Sequence, residues 1–212
     1  MNGVRIARVV VGDLESNCWI VGDDGGGPLL VLDPGAEPGL VLEAIAGRPV
    51  AAVVLTHGHF DHIGGASAVV AETGAPLFVH EADAVRLEDP GLNGGAAFGY
   101  FVTAPGPARL LTDGDVVEAG ALTLEVIETP GHTAGSICLF SRSSGDLFCG
   151  DTLFRGSVGR TDFAGGDART LRDSIARLAK LPPATVAHPG HGPDTTLEYE
   201  ARANPFWPRP RV

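Results

Sequence analysis

The chain has 212 residues, 44% of them apolar, which is enough for one large domain with a substantial hydrophobic core. Its net charge of −11 disfavours binding to nucleic acid or to an anionic membrane, although a bound metal would still attract a small anion. No apolar run is long enough to span a membrane, and Arg5 and Arg8 interrupt the N-terminal run, so a soluble cytoplasmic protein is expected.

The first third of the chain predicts short strands at Val4–Val11, 18–21 and 29–33, because Gly, Asp and Pro bound its β-branched apolar runs. A helix is expected over 38–46, where the apolar residues have helical spacing, and a buried strand over 51–55. The three cysteines lie in apolar segments without a closely spaced partner, which predicts buried free thiols in a reducing compartment.

The rest of the chain alternates between helices and strands. A loop is expected at 90–108, where Gly, Ala and Pro dominate. The predicted elements are a helix over 64–73, strands over 76–80, 122–127, 136–141 and 146–149, a helix over 167–181 with Asp167 as N-cap, a strand over 185–188 and a helix over 196–203. No linker or low-complexity segment interrupts the chain, so a single domain over 1–212 with two αβ halves is predicted.

Metal-binding side chains are concentrated at THGHFDH (56–62), directly after the predicted strand 51–55. His57 and His59 lie on one side of an extended segment, whereas Asp61 and His62 follow a bend at the start of a helix. One ion needs only three or four ligands, so this number of candidates indicates two ions.

Three further candidates, His132, Asp151 and His191, each follow a predicted strand and lie beside a glycine, where the backbone can bend sharply. Together with the first stretch they give five histidines and two aspartates. This number allows three ligands for each of two ions and one carboxylate between them.

The series THGHFDH, PGHT, GDTLF and PGHG resembles the motifs of the metallo-β-lactamase superfamily, over nearly the whole chain from VLDPGA (31–36) onward. The resemblance implies a four-layer αββα sandwich in which helices flank two mixed β-sheets. Within the superfamily, FRGSVGRTDFAGGD (154–167) and GHGPDTTLEYEARANPF (190–206) resemble short bacterial proteins of the glyoxalase II, or hydroxyacylglutathione hydrolase, type.

The resemblance also implies a role for each candidate ligand. The first ion is assigned to His57, His59 and His132, the second to Asp61, His62 and His191, and Asp151 bridges the two. Asp33 is expected either to orient a ligand histidine or simply to cap a turn. The ions are expected to be zinc, although imidazole and carboxylate ligands also accept iron or manganese.

Such a site predicts hydrolysis by a hydroxide held between the two ions, with Asp61 and Asp151 as the catalytic carboxylates. A thiolate leaves without protonation, unlike an amide nitrogen, and no spare general acid is visible, so an S-acyl glutathione-like thioester is the expected substrate. No counterpart is expected here of the C-terminal helical domain that helps longer glyoxalase II enzymes bind glutathione. Recognition of glutathione and the oligomeric state therefore stay open.

The main alternative is a persulfide dioxygenase, in which one iron is held by His57, His132 and Asp151. The Gly–Pro that follows His191 disfavours it, because Asp–Tyr is typical there. A β-lactamase, a nuclease and a non-catalytic metal-binding protein are further, less favoured alternatives.

A substrate wall is predicted from Phe60 and the aromatic residues of the 90–108 loop, together with Arg160. The loop aromatics are Phe98, Tyr100 and Phe101, which would equally serve to anchor the loop to the core. Arg160 is also expected to form an ion pair with Asp162. The two remaining histidines, at positions 80 and 188, are expected to be structural.

Overall fold

The computed structural model describes residues 4–209, which form two six-stranded sheets. In the first sheet the strands lie in chain order; the first three are antiparallel and the following ones pair in parallel. These strands are β1 (Val4–Val11), β2 (Ser16–Asp23), β3 (Leu29–Leu32), β4 (Val50–Val54), β5 (Leu77–His80) and β6 (Arg109–Leu111).

The second sheet is also mixed and has the order β14-β13-β10-β9-β8-β7, in which only β10 and β13 are parallel. A separate two-stranded ribbon, β11 and β12, follows β10. The strands are β7 (Val116–Ala119), β8 (Leu122–Glu128), β9 (Ile137–Ser141), β10 (Asp146–Gly150), β11 (Leu153–Phe154), β12 (Ser157–Val158), β13 (Val186–Pro189) and β14 (Thr195–Thr196).

Helices cover the outer face of each sheet. The helices are α1 (Pro38–Ile45), α2 (Phe60–Ile63), α3 (Ala66–Thr73), α4 (Ala168–Leu178) and α5 (Leu197–Ala203), with 3₁₀ turns at Glu81–Leu87 and Gly95–Phe98. Residues of α1 and α3 pack with the first sheet in one apolar cluster, and residues of α4 and α5 pack with the second sheet in another.

A third apolar cluster lies between the sheets and explains their face-to-face packing. Leu30 and Val54 of the first sheet meet Leu124, Leu139 and Phe148 of the second, and all five are at most 1% exposed. Because strand side chains alternate between faces, each sheet packs its other face on helices. The predicted four-layer αββα sandwich with two mixed sheets is confirmed.

Helix α4 shows how the sequence determines one outer layer. Leu171, Ile175 and Leu178 lie on one buried face, and the Asp167 carboxylate accepts the Thr170 amide at 2.6 Å. The predicted N-cap is confirmed, although the helix ends at Leu178 rather than at residue 181.

Other predicted boundaries need correction. The helix expected over 64–73 is α3, which begins two residues later, at Ala66, and a separate short helix, α2, precedes it at Phe60–Ile63. Strands β6 and β7 were not predicted, since both are short and partly exposed. The 90–108 segment contains the 3₁₀ turn Gly95–Phe98. Between residues 4 and 209, no helix has the length and apolar character needed to cross a membrane.

Candidate metal centre

The metal-binding stretch leaves the carboxyl end of β4 and is held there by Asp33, which follows β3. The Asp33 carboxylate accepts the Thr56 amide at 2.7 Å and the Thr56 hydroxyl at 2.6 Å. His57 follows at a bend and His59 in extended backbone, and Asp61 lies in the first turn of α2. The sheet edge and the short helix therefore present the candidate ligands in two directions.

The first ligand group is buried and contains His57, His59 and His132. Their side chains are at most 5% exposed, and His59 Nδ1 lies 2.9 Å from His132 Nε2. His132 follows β8, so this group takes residues from both sheets.

The second ligand group contains Asp61, His62 and His191. His191 Nε2 lies 3.3 Å from His62 Nε2 and 3.2 Å from Asp61 Oδ2. The His191 side chain is 26% exposed, so this group is more open to solvent than the first.

Asp151 faces both groups. Its Oδ1 lies 3.4 Å from His62 Nε2, and its Oδ2 lies 3.6 Å from both His132 Nε2 and His191 Nε2. The structure thus brings together all seven side chains predicted as ligands, with the carboxylate expected to bridge placed between the groups.

In four of the candidate ligand histidines, Nδ1 forms a hydrogen bond with the surrounding protein. This bond orients the ring, so that Nε2 faces the other candidate ligands. His132 Nδ1 donates to the Arg160 carbonyl at 2.8 Å, and His191 Nδ1 donates to the Leu14 carbonyl at 2.9 Å. A carbonyl can only accept, so Nδ1 is the donor in both rings and Nε2 is the nitrogen turned toward the other candidate ligands.

The other two are oriented through Asp33 and Thr56. His62 Nδ1 donates to Asp33 Oδ2 at 3.0 Å. The Thr56 hydroxyl gives its only proton to Asp33, so it accepts from His57 Nδ1 at 3.1 Å. Asp33, His57 and His62 also lie close enough together to resemble a third ligand group. The Asp33 carboxylate already accepts three hydrogen bonds, however, and so it orients the histidines rather than facing an ion.

The donor set fits divalent cations. His57 Nε2 and Asp151 Oδ1 are buried without a hydrogen-bond partner, which is unfavourable unless a cation faces them. Tetrahedral bonds of about 2.0–2.1 Å separate ligand atoms by about 3.3 Å. The ring-nitrogen separations of 2.9 Å and 3.3 Å in the two groups are near that value.

The two groups differ in charge state. Burial lowers the pKa of His57, and burial with the neighbouring His132 lowers the pKa of His59 to about 3, so both of these rings are neutral. Burial would also lower the pKa of His62, but the charges of Asp61 and Asp151 outweigh it and raise that pKa to about 10. Cations that bind the second group would therefore displace protons.

Asp83 is a buried residue that sequence reasoning missed. Its carboxylate accepts the amides of Gly58 and Gly135 at 2.8 and 2.9 Å and the Thr133 hydroxyl at 2.7 Å. Arg86 Nε donates to it at 3.1 Å. The two loops of the first ligand group are therefore tied to one side chain. An aspartate in EADAVRL has no spacing signal that would reveal this role.

A cavity of about 290 Å³ adjoins the ligands. Phe60, Phe98 and Arg160 line it, as expected for the predicted wall, and so does Phe163, which was not predicted. The ring centres of Phe163 and His59 are 5.7 Å apart, and the Arg160 guanidinium carbon lies 3.8 Å from the centre of the Phe163 ring. Phe163 follows the predicted Arg160–Asp162 ion pair, which the structure contains at 2.7 Å.

The other two loop aromatics lie elsewhere. Tyr100 stacks on Phe60, with 5.1 Å between ring centres, and lines a neighbouring cavity. Phe101 is 75% exposed and is not among the residues that line either cavity. The structure thus places Phe101 outside the predicted wall, because its side chain points to solvent.

The remaining histidines and the cysteines lie outside the ligand groups. His80 pairs with Glu128 at 2.9 Å, and His188 pairs with Asp146 at 2.9 Å. Trp19 packs 4.9 Å from the His188 ring and donates to the Pro189 carbonyl at 3.1 Å, two residues before His191. All three cysteines are buried free thiols, and burial raises their pKa, to about 11 for the one at position 138.

Comparison with known sequences agrees with this geometry. The model of the metallo-beta-lactamase superfamily matches residues 11–191. The chain is 38% identical to the probable metallo-hydrolase YqgX of Bacillus subtilis over 205 residues, which cover 94% of this chain and 95% of the relative. It is 31% identical to the hydroxyacylglutathione hydrolase GloC of Haemophilus influenzae over 208 residues, covering 96% and 98% of the two chains.

Solved structures share the whole architecture. The B3 metallo-beta-lactamase BLEG-1 superposes with a TM-score of 0.90 at 34% identity, covering 95% of this chain and 99% of that one. TTHA1623, solved in a di-iron-bound form, has a TM-score of 0.86 at 38% identity, covering 94% of this chain and 99% of that one. ETHE1 from Myxococcus xanthus has a TM-score of 0.76 at 28% identity, covering 95% of this chain and 83% of that one.

Proposed function

This chain belongs to the metallo-β-lactamase superfamily, and we propose that it is a metal-dependent thioester hydrolase of the hydroxyacylglutathione hydrolase type. The observation that carries the proposal is the position of Asp151, whose two oxygens face both ligand groups at 3.4–3.6 Å. Divalent ions in these groups would polarise a thioester carbonyl and lower the pKa of water to roughly 7. Zinc is the proposed metal, with iron and manganese as alternatives.

The residues around the cavity supply orientation rather than a nucleophile of their own. Its lining contains no serine, cysteine, lysine or tyrosine among the described residues. Asp61 and Asp151 contribute negative charge, and Asp33 holds the ring of His62. The His191 side, which is 26% exposed, provides access for a substrate, whereas the buried first group excludes bulk water.

The absence of a spare acid in the lining supports a thioester over an amide. A leaving thiol has a pKa of about 8.5 and departs as thiolate, whereas an amide nitrogen needs a proton. The Haemophilus relative matches over 98% of its own length. A relative that this chain matches over almost its entire length is therefore named a hydroxyacylglutathione hydrolase.

The persulfide dioxygenase alternative would use His57, His132 and Asp151 around one iron. It leaves Asp61, His62 and His191 without a role, although they lie within 3.2–3.5 Å of one another. The second ligand group therefore favours the hydrolase.

Two measurements on the purified protein test the proposal. Metal analysis is expected to give two ions per chain, and S-lactoylglutathione is expected to be hydrolysed. One iron per chain, with oxygen uptake on glutathione persulfide and no thioester hydrolysis, would establish the dioxygenase instead. Two bound ions with no turnover of either compound would favour a metal-binding protein.

A further inference from the structure

A second cavity of about 210 Å³ adjoins the metal centre on the Asp61 side. Its apolar lining consists of Val11, Leu14, Ala36, Phe60, Tyr100 and Val102, and we call it the side cavity. It shares Leu14, Phe60 and Asp61 with the metal cavity. The two cavities are therefore adjacent, and an acyl group attached to a carbonyl at the metal centre would enter the side cavity past these shared residues.

The walls of the side cavity are held in place by contacts between distant segments. The Tyr100 hydroxyl donates to Asp13 Oδ2 at 2.6 Å, and the Tyr100 ring stacks on Phe60. Glu37 accepts the Gly12 amide at 2.9 Å. A cavity shaped before its ligand arrives loses less conformational freedom on binding.

The two sides of the metal centre differ in charge. Asp13, Glu37 and Asp61 are the carboxylic acids of the side cavity, and none of the described residues that line it is basic. On the other side, beside Asp151 and His191, a more open cavity of about 530 Å³ is lined by Arg155 and Arg160. An anionic group is therefore repelled from the side cavity and attracted to the arginine side.

We propose that the side cavity binds the acyl group of the thioester and selects neutral acyl chains, with an anionic thiol carrier on the arginine side. This proposal rests on the thioester hydrolase function. The reaction breaks the C–S bond, forms a C–O bond to water, and releases a carboxylic acid and a thiol. At about 30 Å³ for each water-sized group, the side cavity has room for roughly seven such groups.

The test is an acyl series on one carrier, glutathione: acetyl, propanoyl, butanoyl, pentanoyl and succinyl thioesters. Along the series from acetyl to pentanoyl, each additional buried methylene should raise kcat/KM about fourfold. Succinyl should fall at least tenfold below butanoyl, because its carboxylate meets Asp13 and Glu37. This series needs no variant, so misfolding cannot obscure it.

Two variants locate the effect. Val102→Phe fills the side cavity and should reduce the pentanoyl-to-acetyl ratio of kcat/KM at least tenfold, whereas Val85→Phe, at an exposed position outside it, should leave the ratio unchanged. Glu37→Gln keeps an acceptor for Gly12 and should raise the succinyl-to-butanoyl ratio. Metal content and thermal unfolding of each variant confirm its folding.

Two outcomes overturn the proposal in distinguishable ways. Hydrolysis of all the thioesters with a flat chain-length series, or an unchanged ratio in folded Val102→Phe, would remove the side cavity as the acyl site and keep the hydrolase. No hydrolysis of any thioester by metal-loaded protein would remove the proposed function together with the acyl site.

Discussion

At the scale of single residues, the metal centre depends on which ring nitrogen each histidine keeps free. Two backbone carbonyls, those of Leu14 and Arg160, fix this choice for His191 and His132. Neither residue acts there through its side chain. A sequence motif reports side-chain identities, so THGHFDH predicts the ligands but cannot show which carbonyls orient them.

Replacing Asp151 tests the ligand that faces both groups. We expect Asp151→Ala to reduce both the number of bound ions and turnover, by more than the roughly 10–100-fold typical of a residue that only orients a ligand. Asp146→Ala, at the start of the same strand β10, is the control and should keep its metal. Normal metal content and turnover in Asp151→Ala would contradict the assignment.

Asp83 tests a residue that touches loops rather than ions. Asp83→Asn turns one acceptor oxygen into a donor facing Gly58 or Gly135. The loops of the first group should loosen, and metal affinity there should fall about 10–100-fold. Equilibrium titration with Zn²⁺ measures it. Glu200→Gln, another fully buried carboxyl but outside the centre, should bind both ions normally. Equal affinities in the two variants would assign Asp83 a structural role only.

At the scale of elements, the ends of strands from both sheets meet at one edge. The sequence predicted β4, β8, β10 and β13 and the ligand after each one, because apolar β-branched runs and adjacent glycines are local signals. It did not predict Asp83 in the 3₁₀ turn Glu81–Leu87, because that residue acts through contacts 25–52 positions away. The direction of the Phe101 side chain likewise depends on the folded loop.

The aromatic loop provides a matched pair of variants. Phe98 lines the metal cavity and contacts Phe163 with 6.2 Å between ring centres, whereas Phe101 is 75% exposed. Phe98→Ala should raise KM about fivefold, the equivalent of about 1 kcal/mol, with metal content unchanged. Phe101→Ala should leave the kinetics unaltered. The opposite result, with Phe101 affecting KM, would restore the wall predicted from the sequence.

At the scale of the whole molecule, the first ligand group connects the two sheets. His57 and His59 follow a strand of the first sheet, and His132 follows a strand of the second. An ion held by all three would therefore oppose separation of the two sheets, in addition to the apolar cluster between them. The four-layer order followed from the motif resemblance, whereas this connection between sheets required the folded geometry.

Chelation tests this coupling between metal and stability. Ions present at about 100 times their dissociation constant add about 2.7 kcal/mol to the free energy of unfolding. For a chain of this size, that corresponds to a Tm about 5–10 °C higher. Removing the metals with a chelator should lower Tm by this amount, and adding Zn²⁺ should restore it. An unchanged Tm after verified metal removal would show that the sandwich is stable independently of its ions.

The contact between Trp19 and the Pro189 carbonyl has an optical consequence. The indole is 5% exposed and is bonded two residues before His191, so a shift of that segment changes the surroundings of the chromophore. Intrinsic fluorescence should therefore change as the second ligand group fills. The change should vanish in Trp19→Phe and persist in Trp207→Phe, since the second tryptophan packs beside α5. A fluorescence change that comes from Trp207 alone would contradict this prediction. A change that depends on Trp19 would give the protein an intrinsic reporter of its own metal loading.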